Sequence, residues 1–279
     1  DSMYGQGPPV SPWLYARDPV TFRMLPELLV GMASQSPDAA GNPVAAMPND
    51  LPRNQAGRAL IGDERNDENL LVAQTHLLFI KFHNAVVALL RANRPEIAAS
   101  DSALFEEAKR IVTWHYQWIV LFDFVERLTE PGLVNRIRQR GRQFYRFRTT
   151  PYMPVEFAAA AYRLGHSMVR SAYSHNRVFR FGQGAIAPGT LGLLFFFTGK
   201  SGGIIGNLID SPNVGTNPGP GPALQRDLPS NWVIDWRRYY DLGTPAGTPD
   251  FALNASRRID PFLLQELHTL PGGGGSLPL

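Results

Sequence analysis

The stretch ENLLVAQTHLLFIKFHNAVVALL, residues 68–90, decides the class of this fold. Leu71, Val72, Leu78, Phe79, Phe82, Val86, Leu89 and Leu90 recur at three- and four-residue spacing, which reads as one long helix with an apolar face. Glu64, Asp67 and Glu68 near its start suit the positive end of the helix dipole, and Pro95 stands just past its end.

Outward from this helix, a second is expected over about residues 103–128, with Asp101 or Ser102 as its cap and Pro131-Gly132 as its stop. Its apolar positions Phe105, Ile111, Val112, Ile119, Phe122 and Val125, with Trp114 and Trp118, surround more than one face, so it is expected to be central. A third is expected over about residues 154–173, with Pro154 at the first helical position and Phe157, Ala161, Leu164 and Met168 along it. Residues 1–58, punctuated by prolines from Pro8 to Pro52, read as extended chain and turns, and residues 180–229 read as loop. Short amphipathic helices are expected at residues 232–240 and 260–268, and a flexible glycine run at 272–275. There is no fixed-period repeat and little β-branched alternation, so the class is mainly α, multi-helical with long irregular loops. The organisation is an irregular segment 1–58, a helical core 59–175 and a loop-rich segment 176–279 with short helices.

At 279 residues and 44% hydrophobic content the chain is long enough to bury a sizeable core. Its 27 Lys and Arg against 24 Asp and Glu give +3, spread along the sequence except for Arg136, Arg138, Arg140, Arg142, Arg146 and Arg148. That run, interleaved with Phe144, Tyr145 and Phe147, is read as a solvated segment, and no nucleic-acid binding is expected. The absence of cysteine excludes disulfides, thiolate metal sites and a cysteine nucleophile. The longest consecutive apolar stretch, residues 191–197, falls far short of the ~20 residues that cross a bilayer, so no transmembrane segment is expected and the chain reads as soluble.

Arg65 and Glu68, three residues apart, can reach the same side of the first helix, a spacing that an ordinary surface ion pair also satisfies. His76 and His83 share a face, but catalytic zinc needs a third ligand and no His-Glu-x-x-His pattern exists, so both read as histidines with buried partners. In Tyr162-Arg-Leu-Gly-His166, Gly165 costs a helix about 1 kcal/mol relative to alanine. Small residues beside a histidine let a flat, bulky group lie close, as a haem with an axial imidazole requires, but taken alone a histidine on an otherwise apolar helix reads first as a satisfied core residue.

Taken together, GDERNDEN at 62–69, HLLFIKFHN at 76–84 and Phe157 to Val169 with its Tyr-Arg-x-Gly-His-Ser pattern resemble the animal haem peroxidase family, whose motif is G-D-x-R-x-x-E followed by an apolar helix ending in H-N. Gln117, Asp123 and Arg258-Ile-Asp-Pro261 are further matches, and the pattern looks closest to bacterial members.

The resemblance implies a haem peroxidase-like domain that uses hydrogen peroxide to oxidise a small reductant, with residues 59–175 as the haem-binding core. It makes His166 the proximal ligand of the iron of haem b, Arg65 the distal arginine and Arg163 a partner of a haem propionate. Glu68 falls on a carboxylate that in some members is esterified to the haem, and Gly165 sits beside the ligand. It also implies that the distal histidine and the calcium loop lie upstream of Asp1, itself a calcium candidate, so that another chain or segment would supply that histidine. Fatty-acid dioxygenases of the superfamily carry a tyrosine where this chain has Arg163, which favours the peroxidase reading over that alternative. A haem-free helical scaffold is the reading from a different class.

Overall fold

The proline-punctuated N-terminal segment pairs with itself in short antiparallel ladders. In this computed structural model, which describes residues 3–54, 57–196, 198, 227–243 and 253–259, β1 (Tyr15–Arg17) pairs with β2 (Met24–Leu28). β3 (Gly31–Ala33) pairs with β6 (Met47–Asp50), and between them in sequence lie β4 (Ser36–Pro37) and β5 (Pro43–Val44), which pair with each other. Proline has no N–H to give a ladder, which keeps these strands short. An added Cβ on Gly31 would stand 2.1 Å from the Leu51 carbonyl oxygen, so only glycine permits this close approach.

A 3-10 turn, Glu64–Asp67, leads into α1 (Leu70–Asn93), whose cap is Asn69, its side chain accepting from the Val72 amide at 3.0 Å. Pro95 opens α2 (Pro95–Ala98). α3 (Asp101–Ile119) is capped by the Ser100 hydroxyl, one residue before the expected cap, and continues through a π-helical turn, Val120–Phe124, into α4 (Val125–Leu128). Then come α5 (Leu133–Arg140), α6 (Val155–Ala159), a 3-10 segment Ala161–Met168, the pair β7 (Ala172–Tyr173) and β8 (Gly189–Thr190), α7 (Leu191–Phe196), and 3-10 turns at Ser230–Trp232 and Trp236–Arg238. The fold is mainly α.

α1 contributes to all three hydrophobic clusters. Ala73, Leu77 and Ile80 pack with Tyr4, Leu14, Tyr15, Leu28, Leu51 and Phe105. Leu70 joins Ala33, Val178, Phe179, Leu194, Leu228 and Trp232, and Val86, Val87 and Leu90 meet Leu104, Ala108 and Val112 of α3. Each large apolar side chain so buried contributes roughly 1.5–3 kcal/mol.

Several expectations are corrected. The apolar face of α1 is rotated from the one predicted: Val72, Leu78 and Leu89 are exposed, while Leu70, Ala73, Leu77, Ile80 and Val87 are buried. With apolar residues on most sides of the helix, spacing alone does not choose the buried stripe. By length and composition α1 could also cross a bilayer, with a mean hydropathy of 1.3, although half of that window is buried within the fold, as in a core helix. The expected second helix is central only in its first half, since Trp114, Trp118 and Ile119 of α3 and Phe124 of the π-helical turn are exposed. The helix expected over 154–173 breaks at Ala160 (φ −123°) into α6 and the 3-10 segment. Phe157, Tyr162 and Leu164 find no burial to support it, and a short unsupported helix with an internal glycine is unstable. Pro154 is the cap of α6, not its first residue. Within the expected loop 180–229, α7 forms because Leu191, Leu194 and Phe195 bury themselves. Residues 260–268 and 272–275 lie outside the described residues.

Buried histidines are held neutral. His83 donates from Nε2 to the Pro26 carbonyl and accepts at Nδ1 from the Tyr4 hydroxyl, and His175 donates from Nε2 to the Trp232 carbonyl and accepts at Nδ1 from Tyr239. A carbonyl can only accept, which fixes both tautomers. Burial pushes His175 down to about 4 and lowers His83 as well, against the opposing effect of these carbonyl bonds. A histidine depressed in the folded state contributes stability that is fully present above its unfolded pKa of ~6.5 and is lost as pH falls toward the folded value. Stability should therefore be flat above about pH 7 and fall between about 6.5 and 5 by up to ~1.4 kcal/mol per pH unit for each such histidine. Chemical denaturation at a series of pH values checks this; a level profile across that window refutes it.

Candidate functional site

Two short segments carry the residues singled out by the sequence. The first is the turn Glu64–Asp67 with Glu68 as its C-terminal cap. Asp63 starts it, its side chain accepting from the Arg65 amide, and the same carboxylate takes the Arg65 guanidinium through Nε at 3.0 Å and a terminal nitrogen at 2.6 Å. Arg65 is 74% exposed. Its pKa is raised by the bond to Asp63, by that carboxylate's charge and, less, by Glu68. Arg65 and Glu68 thus share a turn that precedes the long helix, not the helix itself, and a 3-10 turn brings residues three apart onto one side. Glu68 is half-buried, and its carbonyl accepts from Thr198.

This turn is fastened from within. Asn66 donates from Nδ2 to His76 Nδ1 at 2.9 Å, so the His76 proton sits on Nε2, which is buried with no hydrogen-bond partner among the described residues. Burial lowers the His76 pKa to about 4, with Asp63 opposing. Asp67, expected to serve the helix dipole, is instead buried against Arg53. Burial works to lower the pKa of Arg53, but its bonds to Asp67 and Asp50 outweigh this and raise it well above the ordinary value. Arg53, Asp50 and Asp63 were missed in the sequence; only Asp63 left a local signal there, as a capping residue at a helix start.

The second segment is Ala161–Met168. His166 is half-buried, and its Nδ1 lies 2.8 Å from the Arg163 carbonyl. That oxygen can only accept, so Nδ1 bears the proton and Nε2 keeps its lone pair, with no protein partner among the described residues. Arg163 is exposed and donates from Nε to the Ala158 carbonyl. An added Cβ on Gly165 would meet nothing within 4 Å. Among the described residues no hydrogen bond or ion pair joins Arg65 to His166 or Arg163. Asp1, the calcium candidate, lies outside the described residues.

The sequence pattern named Animal haem peroxidase matches residues 24–185, more than half of the chain and inclusive of both segments. The chain belongs to the animal haem peroxidase family. It is 31% identical over 138 residues to a chorion peroxidase of Drosophila melanogaster, covering 46% of this chain and 17% of that protein. A peroxidase-like protein of Margaritifera margaritifera is 32% identical over 116 residues (40% of this chain, 14% of that one), and the thyroid peroxidase of Canis lupus familiaris 31% over 131 residues (46% and 13%). The chain thus spans less than a fifth of the length of these relatives.

The family's cofactor is haem, and the His166 geometry suits it. A haem brings four equatorial nitrogens of its own and asks of the protein one imidazole, commonly one whose other N–H is held by a backbone carbonyl. Among the described residues no cluster of three or more His, Cys, Asp or Glu could hold a metal by protein ligands alone. Since nothing among the described residues requires a glycine at 165, Gly165→Leu should leave the melting curve and helical content of the haem-free chain unchanged while shortening haem retention. Melts of the haem-free protein beside transfer of its haem to a scavenger protein test this; retention equal to wild type removes the close-approach role of Gly165.

Proposed function

We propose that this chain contributes the proximal face and the distal arginine of a haem-dependent peroxidase that uses hydrogen peroxide to oxidise a small reductant. The observation that carries the reading is the tautomer of His166: with Nδ1–H given to the Arg163 carbonyl, Nε2 is left as a ligand atom. When bound, haem supplies the redox chemistry, accepting oxidising equivalents from peroxide and passing them to the reductant. Around it His166 holds the iron, and the carbonyl behind Nδ1 fixes the orientation of the ring. Arg163, whose terminal N–H groups have no protein partner among the described residues, pairs with a propionate. Gly165 admits the macrocycle edge. Arg65 places a permanent positive charge where negative charge gathers on the departing oxygen, and Glu68, on the same turn, lines that side.

His166→Ala should abolish stoichiometric haem binding or the absorption spectrum of a histidine-ligated haem. Haem content and spectrum unchanged from wild type would remove His166 as the ligand, and absence of a Soret band from the wild-type protein itself would favour a haem-free scaffold.

Arg65→Ala should slow the reaction with hydrogen peroxide by a factor of about a hundred to a thousand. Its melting temperature should hardly move, because the side chain is exposed and, among the described residues, its ion pair is with Asp63 at the start of its own turn. Arg65→Lys should recover part of the rate, an ammonium lacking the planar fork of donors. Stopped-flow mixing and thermal melts of the three proteins decide it: equal rates, or a loss of fold that accounts for the slowing, would take Arg65 out of the chemistry.

A further inference from the structure

Arg53 stands fourteen residues before Asp67 and is 4% exposed at its side chain, against 3% for Asp50 and for Asp67. Every one of its five guanidinium N–H groups is used. Nε donates to Asp50 Oδ2 at 2.9 Å, one terminal nitrogen to Asp67 Oδ2 at 2.6 Å and the Gly57 carbonyl at 3.1 Å, and the other to Asp50 Oδ1 and Asp67 Oδ1, both at 3.1 Å. Asp50 in turn accepts from the Leu51 and Leu228 amides at 2.7 Å each. One buried cation thus joins the end of β6, the Gly57 turn and the turn that presents Arg65. Two carboxylates against one guanidinium is a poor way to gain stability, since buried ion pairs seldom outperform apolar packing. Their use here is geometric: a planar fork holds two carboxylates at fixed angles, which an ammonium cannot do.

The geometry points to Arg53 as a positioning residue for the peroxide step, acting through Asp67 to hold the Arg65 turn at a fixed place. Asp67 is two residues from Arg65, and among the described residues the side chain of Arg65 is hydrogen-bonded to Asp63 of the same turn. Asp67 to Arg53 and Asn66 to His76 are inward anchors of the turn, beside the Thr198 hydroxyl on the Glu68 carbonyl at its end, and of these the Arg53 bond is the one made to a fully used, buried cation. A displacement on the order of 1 Å in a group that stabilises developing charge costs up to about a hundredfold in rate. This inference rests on the assignment of Arg65 to the reaction with peroxide.

The test uses Arg53→Lys, Asp67→Asn and Arg65→Ala, with the double variants of Arg65→Ala and each of the others. Asp67→Asn keeps the shape and one acceptor oxygen while removing the charge and the second bond to Arg53, so it carries the test if Arg53→Lys does not fold. Hydrogen exchange of amides 63–68 in the haem-free chain should quicken about tenfold in Arg53→Lys and Asp67→Asn, with exchange in α3 unchanged. In the haem-loaded protein the peroxide reaction should slow about ten- to a hundredfold, with KM for the reductant unmoved, and neither change should slow it further once Arg65 is alanine. Unaltered exchange at 63–68, an unaltered peroxide rate, or the same slowing in the Arg65→Ala background each overturns the proposal. If Arg65→Ala alone leaves the peroxide rate unchanged, the assignment of Arg65 fails and the positioning role fails with it; the exchange data still report whether Arg53 holds the turn.

Discussion

α1 is apolar on most of its circumference, and three separate stretches of the described chain pack against it. The N-terminal ladders meet it at Ala73, Leu77 and Ile80, α3 at Val86, Val87 and Leu90, and the segment beyond Val178 at Leu70. No single neighbour could satisfy such a helix, so three distant stretches of sequence converge on it. Its polar positions obey the same constraint. Asn84 accepts from the Leu28 amide and donates to the Leu28 carbonyl, so a side chain serves as the strand partner that β2 lacks on that side. Gln74 caps the Asn49 carbonyl, and His83 does the same for Pro26.

Support and chemistry are divided between neighbouring residues. On the Glu64–Asp67 turn, Asn66 and Asp67 face inward to His76 and Arg53 while Arg65 faces outward. On Ala161–Met168, Ser167 is buried, His166 is half-buried and Arg163 and Gly165 are exposed. A 3-10 turn, with three residues to the revolution, is suited to such alternation, because adjacent side chains leave the axis about 120° apart. The groups proposed to meet the haem are displayed, and the residues beside them are turned inward against the fold.

The long helix was legible at residues 68–90 because apolar spacing is a local property, and its family motif was legible because both histidines and the Arg65 turn lie within one short window. The buried stripe was not legible: with Val72, Leu78 and Leu89 as apolar as Leu70 and Leu77, the choice belongs to the partners. The break at Ala160 was hidden for the opposite reason, since Ala158 to Ala161 favour a helix intrinsically and only the lack of burial around Phe157 and Tyr162 shows why it stops. Asp67 read naturally as a helix-dipole residue. Its pairing with Arg53 spans a turn and a hairpin end, and no pattern of neighbouring residues encodes a contact of that kind.

The π-helical turn at Val120–Phe124 sets the angle at which α3 hands the chain on. Such a turn holds one residue more than the α-helical one it replaces, so everything after it is rotated about the axis by ~100° relative to an uninterrupted helix. On the far side, Glu126 accepts from the Gly132 amide and closes the bend that starts α5. Loss of a single residue from this turn would restore ordinary helix, swing Glu126 to another face and send the arginine-rich α5 off in a new direction, with no side chain of the core altered. The length of one turn, more than its composition, thus orients α4 and α5 relative to α3.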